Sequence, residues 1–394
     1  ISDLEYSNAL VKFFPSLDLS ASHGRQSKSL NSPTTPTYPK DQWTSTFSLG
    51  LTESLFDNGV SITAFKIAKW KSALENTRFL QERAKLCALV GKGYYQYLLT
   101  TKLFEIEKSQ FALLERQYDL VESDYEQGLK KRKDFLRFKT QLSRARISLA
   151  ASAIAVKKER QILLQNMAVL PSEQDKFEIS TQVDDVEFER LLPKSPNRFP
   201  SLDQHYDTQI AALQRDINAS TASLEQRKYW PELALNAGIN YNTADYLGKN
   251  TSTFINNAQL SWNAALVVNY NILDWGIRRR NSSIAEERQQ IQNNQIESTL
   301  LNTKKELEQL RLDLEFVIDN YANSRELLKL EQGNYSLLEA EYRHGKVQYL
   351  DLITGLSDLT DAKRKLYAAY FQLKQLQLDL AYHEGTIYES VSSR

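Results

Sequence analysis

Four stretches of the 394-residue chain alternate apolar and polar side chains with a period of two. In the first, Leu17, Leu19 and Ala21 alternate with Ser16, Asp18, Ser20 and Ser22; in the second, Trp43, Phe47, Leu49 and Leu51 alternate with Thr44, Thr46, Ser48, Gly50 and Thr52. The third carries Leu233, Leu235, Ala237, Ile239 and Tyr241, and the fourth Leu260, Trp262, Ala264, Leu266, Val268, Tyr270 and Ile272. Such alternation predicts strands with one apolar and one polar face, at about 13–24, 43–56, 230–243 and 259–273.

The rest of the pattern is helical. All nine prolines fall at 15–39, 171–200 and 231, which leaves two tracts rich in Leu, Ala, Glu, Lys, Gln and Arg. Long helices are predicted at about 60–124, 134–168, 277–341 and 351–383. Phe111, Leu114, Tyr118, Val121 and Tyr125 recur at steps of three and four, a narrow stripe for packing helix on helix. At 1.5 Å per residue the first long helix would run about 97 Å, far beyond a compact globule with a radius of gyration of about 21 Å, so an elongated molecule is expected.

One offset, 217, relates the two halves. It carries Leu55, Phe56, Asp57, Asn58 and Gly59 onto Ile272, Leu273, Asp274, Trp275 and Gly276, and Tyr125, Gly128 and Asp134 onto Tyr342, Gly345 and Asp351. It continues through Leu142, Ala145 and Leu149 to Leu359, Ala362 and Leu366. The chain therefore divides into a first repeat at 1–190, with a linker at 171–190, and a second repeat at 191–394, each a strand hairpin plus a long helical hairpin.

Composition narrows the function. The 49 basic and 49 acidic residues cancel, which disfavours nucleic acid as a partner, and the local basic patch is Lys130, Lys131, Arg132 and Lys133. The longest apolar stretch, Ile147 to Val156, is too short for a membrane-spanning helix. No secretory signal stands at Ile1, which leaves a cytoplasmic protein or a processed chain. The single Cys87 reads as a small apolar residue, and four scattered histidines give no metal spacing; no cofactor or metal is expected.

Strands of this kind fit either a soluble sheet or a membrane barrel with lipid outside and water inside. Their length suits a barrel, and Trp43, Trp230, Tyr241 and Tyr270 stand near strand ends, as membrane-interface aromatics would. Four strands are too few to close one, so a barrel requires several chains. Between the long helices, Gly128 and Gly345 are placed to take a left-handed turn, and Asp134 and Asp351 to cap the next helix. Brought together around an axis, the two aspartates would also line an aperture. The tetrad at 130–133 reads either as a solvated loop or as a docking surface for an acidic partner.

In order and spacing these features resemble the TolC family of outer membrane efflux ducts. The resemblance rests on Tyr-Trp-Pro-Glu-Leu at 229–233, Leu-Phe-Asp-Asn-Gly at 55–59, Ile-Leu-Asp-Trp-Gly at 272–276, and the two Gly-to-Asp turns. It implies a mainly α fold with a four-stranded β part, and a homotrimer whose strands form a twelve-stranded barrel in the outer membrane of a Gram-negative bacterium. A helical barrel would continue it through the periplasm. Gly128, Gly345, Tyr125 and Tyr342 would mark the periplasmic tip, with Asp134 and Asp351 near its aperture, where a periplasmic adaptor tied to an inner-membrane transporter of the RND or ABC type docks. The segment 171–200, with Asn197, Arg198 and Pro200, resembles the family's connection between repeats. The helix before the first strand has only about a dozen residues, against about 28 before the third, so a further segment is expected ahead of Ile1. The reading is a passive duct for drugs, toxic compounds or secreted protein; the alternative is a soluble or periplasmic coiled-coil scaffold. Without a phosphate loop, nucleophile elbow or ligand pair, an enzyme is not expected.

Overall fold

The computed structural model describes residues 2–27, 41–170, 172–173, 176–181, 205–246, 259–344 and 346–388. Gly345, residues 182–190 of the expected linker, and Asn197, Arg198 and Pro200 lie outside the described residues, as do the side chains of Trp43 and Tyr246. The elements in order are α1 (Ser2–Val11), β1 (Ser16–Ser27), β2 (Asp41–Phe56), α2 (Val60–Glu126), α3 (Arg132–Asn166), α4 (Tyr206–Arg227), β3 (Glu232–Tyr246), β4 (Gln259–Asn269), α5 (Ile277–Arg343) and α6 (Tyr349–Glu384). The fold is mainly helical with one four-stranded antiparallel sheet. Two compact units emerge, Ile1–Thr77 with Ile210–Thr299 and Arg78–Gln209 with Leu300–Arg394.

The first unit holds the sheet, a meander in the order β1-β2-β3-β4 with β1 and β4 at its edges. β1 starts at Ser16 rather than near residue 13, because Phe13 and Phe14 close a turn onto Leu10 and Val11. β4 stops at Asn269 instead of running to about 273: the Asn271 carbonyl accepts a hydrogen bond from the Arg278 guanidinium and leaves the ladder. Beside the sheet, Ile67 and Leu74 of α2 pack on Ile217 of α4 with Trp70 and Leu213 around them, a small apolar core at helical spacing.

The second unit is a helical bundle. On α6, Leu352, Leu356, Leu359, Ala362, Leu366, Ala369 and Leu373 are buried at steps of three and four, the seam that packs helix into helix. Leu366 and Phe371 join Leu98 and Tyr321 in one core cluster, while Leu114, Ala145 and Leu356 form another. Gly91 continues α2 without a break, since a Cβ there would stand 2.6 Å from the Leu378 Cδ1; the glycine lets two helices approach.

Two histidines that stand 178 residues apart in sequence meet in this unit, with 2.6 Å between His205 Nε2 and His383 Nδ1 and the rings stacked at 4.8 Å. The Asp207 amide donates to His205 Nδ1, so the proton of His205 sits on Nε2 and is donated to His383. Burial, reinforced by His205 and Lys92 and opposed by Asp207, lowers the His383 pKa from 6.5 to about 4. The unfolded chain therefore takes up protons first as pH falls. The neutral pair's contribution is complete above the ordinary histidine range and is lost between pH 6.5 and about 4. Denaturant midpoints of the wild type should fall between about pH 7 and pH 5, and His383→Gln should flatten that slope. An equal slope in both proteins would refute the assignment.

Candidate functional site

Sheet register decides which side chains share a face. Leu19 faces Leu49, Leu49 faces Ile239, and Ile239 faces Trp262, an apolar row that crosses all four strands. The neighbouring row is Ala21, Phe47, Tyr241 and Leu260, and the next Leu17, Leu51, Ala237 and Ala264. The other face carries Ser20, Ser48, Asn240 and Ser261, then Asp18, Gly50, Gly238 and Asn263. Ser20 Oγ lies 2.6 Å from Ser48 Oγ, and Asn240 Nδ2 donates to Asn263 Oδ1 at 3.3 Å.

The apolar face is largely open, most of all on β1 and β4, while Leu51, Leu233, Leu235 and Ala237 of the central strands are half-buried. Leu19 is 78% exposed, Leu260 75% and Trp262 79%, where a soluble sheet would cover such residues with a second layer. Of the aromatics expected at the membrane interface, Trp230 stands exposed just ahead of β3, and Tyr241 packs on Phe47 within the apolar face at 6.4 Å. Tyr270 lies just beyond β4 under the Arg278 guanidinium, 5.5 Å from its ring centre. The backbone of Trp43 is in β2, paired with Arg25 and Asp245.

Strand passes to long helix through the same joint twice. The Asp57 carboxylate accepts from the amides of Gly59 at 3.0 Å and Ser61 at 2.7 Å; Asp274 accepts from those of Gly276 and Arg278, both at 3.0 Å. Asn58 and Gly59 have φ of 55° and 78°, Trp275 and Gly276 54° and 79°. A carboxylate at a helix N-terminus satisfies orphan amides and meets the positive end of the helix dipole. Arg278 also bonds Asp274 Oδ2 at 2.7 Å, and that hydrogen bond is the main cause of the lowered Asp274 pKa. The run Arg278–Arg280 carries this contact, a basic cluster that the reading of charge along the sequence passed over.

At the turn between α2 and α3, Gly128 has φ of 74°, its amide bonds the Tyr125 carbonyl, and the Leu129 amide bonds Asp124, a Schellman closure. Across the offset, the Lys346 amide bonds Glu341 in the same way. Neither aspartate is the cap itself. Lys131 and Gln348 occupy the cap positions; Asp351 sits three residues on and accepts from the Gln348 amide at 3.1 Å, whereas the α3 start has no side-chain cap. Both helices thus begin earlier than expected, at Arg132 and Tyr349, with the carboxylates in the first turn where the dipole favours them.

Aromatic rings tie these turns together. Tyr125 stacks on Phe135 at 4.7 Å, and Tyr342 meets Tyr349 edge-on at 6.2 Å. Phe138, wholly buried, stacks on Tyr349, and Lys130 lies 5.7 Å from the Tyr342 ring centre, so each links one helical hairpin to the other. The tetrad is split: Lys130, Lys131 and Lys133 line a groove between the hairpins, and Arg132 does not. Among the described residues no group of three His, Cys, Asp or Glu could hold a metal, and no helix is long and apolar enough to cross a membrane.

A family model described as outer membrane efflux protein matches residues 5–167 and 201–391. The chain belongs to this family. An outer membrane efflux protein is a passive channel rather than an enzyme, and members form trimers that work with adaptors and inner-membrane pumps. The fold agrees with that of VceC from Vibrio cholerae, with a TM-score of 0.83 at 15% identity over 98% of this chain and 90% of that one. CmeC of Campylobacter jejuni gives 0.83 at 12% identity, over 100% and 83% of the two chains. MtrE of Neisseria gonorrhoeae, an outer membrane channel solved in its open state, gives 0.78 at 17%, over 98% and 84%. No curated protein matches the chain.

Proposed function

We propose that three copies of this outer membrane efflux protein close a twelve-stranded barrel and together form an export duct, driven by a partner pump. The observation that carries this is the sheet: one face apolar and exposed on all four strands, the other polar, with β1 and β4 open at the edges. Lipid tolerates no open edge, and an even number of antiparallel strands closes when β4 of one copy pairs with β1 of the next. The apolar face then meets lipid, with Trp43, Trp230, Tyr241 and Tyr270 near its borders, and the serine and asparagine rows line the water path.

In this reading residues 1–190 and 191–394 are the duplicated units, and most of the chain stands in the periplasm. The turns that follow Tyr125 and Tyr342 form the tip. Asp134 and Asp351 lie near its aperture, and Lys130–Lys133, at the turn and the start of α3, meet an adaptor linked to a transporter of the RND or ABC type. The largely open apolar face weighs against a soluble scaffold.

Mass and conductance test the reading together. In detergent the protein should run as three chains of 45.3 kDa each, and in planar bilayers it should give discrete conductance steps. A folded monomer that stays soluble without detergent would overturn it.

A further inference from the structure

The turns at the two hairpin ends enclose a groove of about 1090 Å³, at the upper end of the size of small-molecule sites. Six cations line it, Lys130, Lys131, Lys133, Arg137, Arg144 and Arg343, against two carboxylates, Asp124 and Asp134, a surplus of four positive charges in a chain whose net charge is zero. Little neutralises them. Arg343 pairs with Glu339 at 2.6 Å, but among the described residues no carboxylate stands within ion-pair distance of Lys131, Lys133, Arg137 or Arg144. Asp351 is turned back onto the Gln348 amide.

The groove also has an apolar side. Phe138 and Tyr349, stacked on each other, line it with Leu136, Leu350 and Ile353. The Tyr349 hydroxyl is buried without a hydrogen-bond partner, which leaves a polar atom free in the apolar part. Cationic walls beside aromatic and aliphatic side chains match a solute with an anionic group on an apolar body. Docked proteins favour broader, flatter surfaces, so the concavity favours a small solute over an acidic protein segment.

We infer that this groove is an anion-binding site that makes the duct accept amphiphilic organic anions ahead of cations. The inference rests on the reading of the hairpin turns as the mouth of the duct. Three copies around an axis would triple the surplus within a narrow opening, where one sign of charge focuses the field and concentrates counter-ions. Anions would gather at the mouth while cations are repelled, with the effect fading at high salt.

Two measurements on the intact protein test it, with Lys131→Gln, Lys133→Gln and Arg137→Gln combined in one variant; all three side chains are exposed, so the fold should hold. In planar bilayers under a potassium chloride gradient, the reversal potential of the wild type should report chloride preferred over potassium, and the variant should shift that ratio by about threefold or more toward potassium. In detergent, fluorescence anisotropy should show pyrenetetrasulfonate, an anion on an aromatic body, binding the wild type about tenfold or more tightly than the variant, and less tightly as salt rises. Conductance with a cation preference, or a ratio unmoved by the variant, overturns the inference and leaves the duct standing. Should the wild type give no conductance, the duct reading fails and the dye alone decides the groove: binding lost in the variant supports an anion site, and absence of binding overturns it. Loss of an acidic adaptor segment from the variant, with no dye bound by the wild type, would leave these lysines as an adaptor surface alone and likewise overturn the inference.

Discussion

Lysine at both Leu49 and Ile239 should keep the chain out of a bilayer, whereas lysine at both Ser48 and Asn240 should let it in. Leu49 and Ile239 are direct partners across β2 and β3 at the centre of the exposed apolar row, and Ser48 and Asn240 are the adjacent partners on the opposite face. A lysine on the lipid face at the bilayer midplane costs about 2–4 kcal/mol, so the first pair costs about 4–8 kcal/mol per chain, comparable to the whole stability of a typical domain. The second pair would meet water in the lumen and alter conductance instead. Flotation with liposomes measures insertion: the apolar-face variant should remain at the bottom of the gradient and the polar-face variant should rise with the vesicles. If both behave alike, the two faces do not meet different solvents and the barrel reading falls.

The sheet could be read from the sequence because period-two alternation on a strand records its two environments directly: Leu17, Leu19 and Ala21 need no tertiary context to be placed on one side. The joints were equally legible, since Asp57-Asn58-Gly59 and Asp274-Trp275-Gly276 use local hydrogen bonds only. Features that depend on distant chain segments were not. His205 and His383 do not form a sequence motif, yet they share a hydrogen bond. The cationic groove joins Lys131 to Arg343 across more than two hundred residues, and only packing of the two hairpins makes one site of them. At the helix starts the error was local. An aspartate after a glycine turn points to a cap, but the dipole that attracts a carboxylate to the cap also favours it in the first turn, and composition does not separate the two positions. The close of α3 shows the converse, for Ala168 adopts φ of 56° and makes the same Schellman bonds as Gly385, 217 residues on, where a rule that looks for glycine sees nothing.

Glutamate at both Ile284 and Ile291 should leave a folded single chain in place of the proposed trimer. Ile277, Ile284 and Ile291 recur every seven residues on α5 and are 53%, 46% and 57% exposed. Scattered surface isoleucines are ordinary, but a heptad repeat of them is half of a coiled-coil seam, and among the described residues nothing covers it. A further copy of the chain would supply the other half, as closing the barrel also requires. Each isoleucine buried there contributes about 1.5–3 kcal/mol, so replacing two forfeits about 3–6 kcal/mol at every interface, before the cost of burying the new carboxylates. A trimer has three such interfaces, and all of them weaken together. Light scattering in detergent should then report one chain of 45.3 kDa with helical circular dichroism retained, since these side chains are exposed within the chain itself. An unchanged trimer mass would show that the seam faces water or lipid and would move the contact between copies to another face of the helices. Loss of helical signal along with the mass would show instead that the seam belongs to the chain's own core, and the exposed heptads would no longer support an assembly of three.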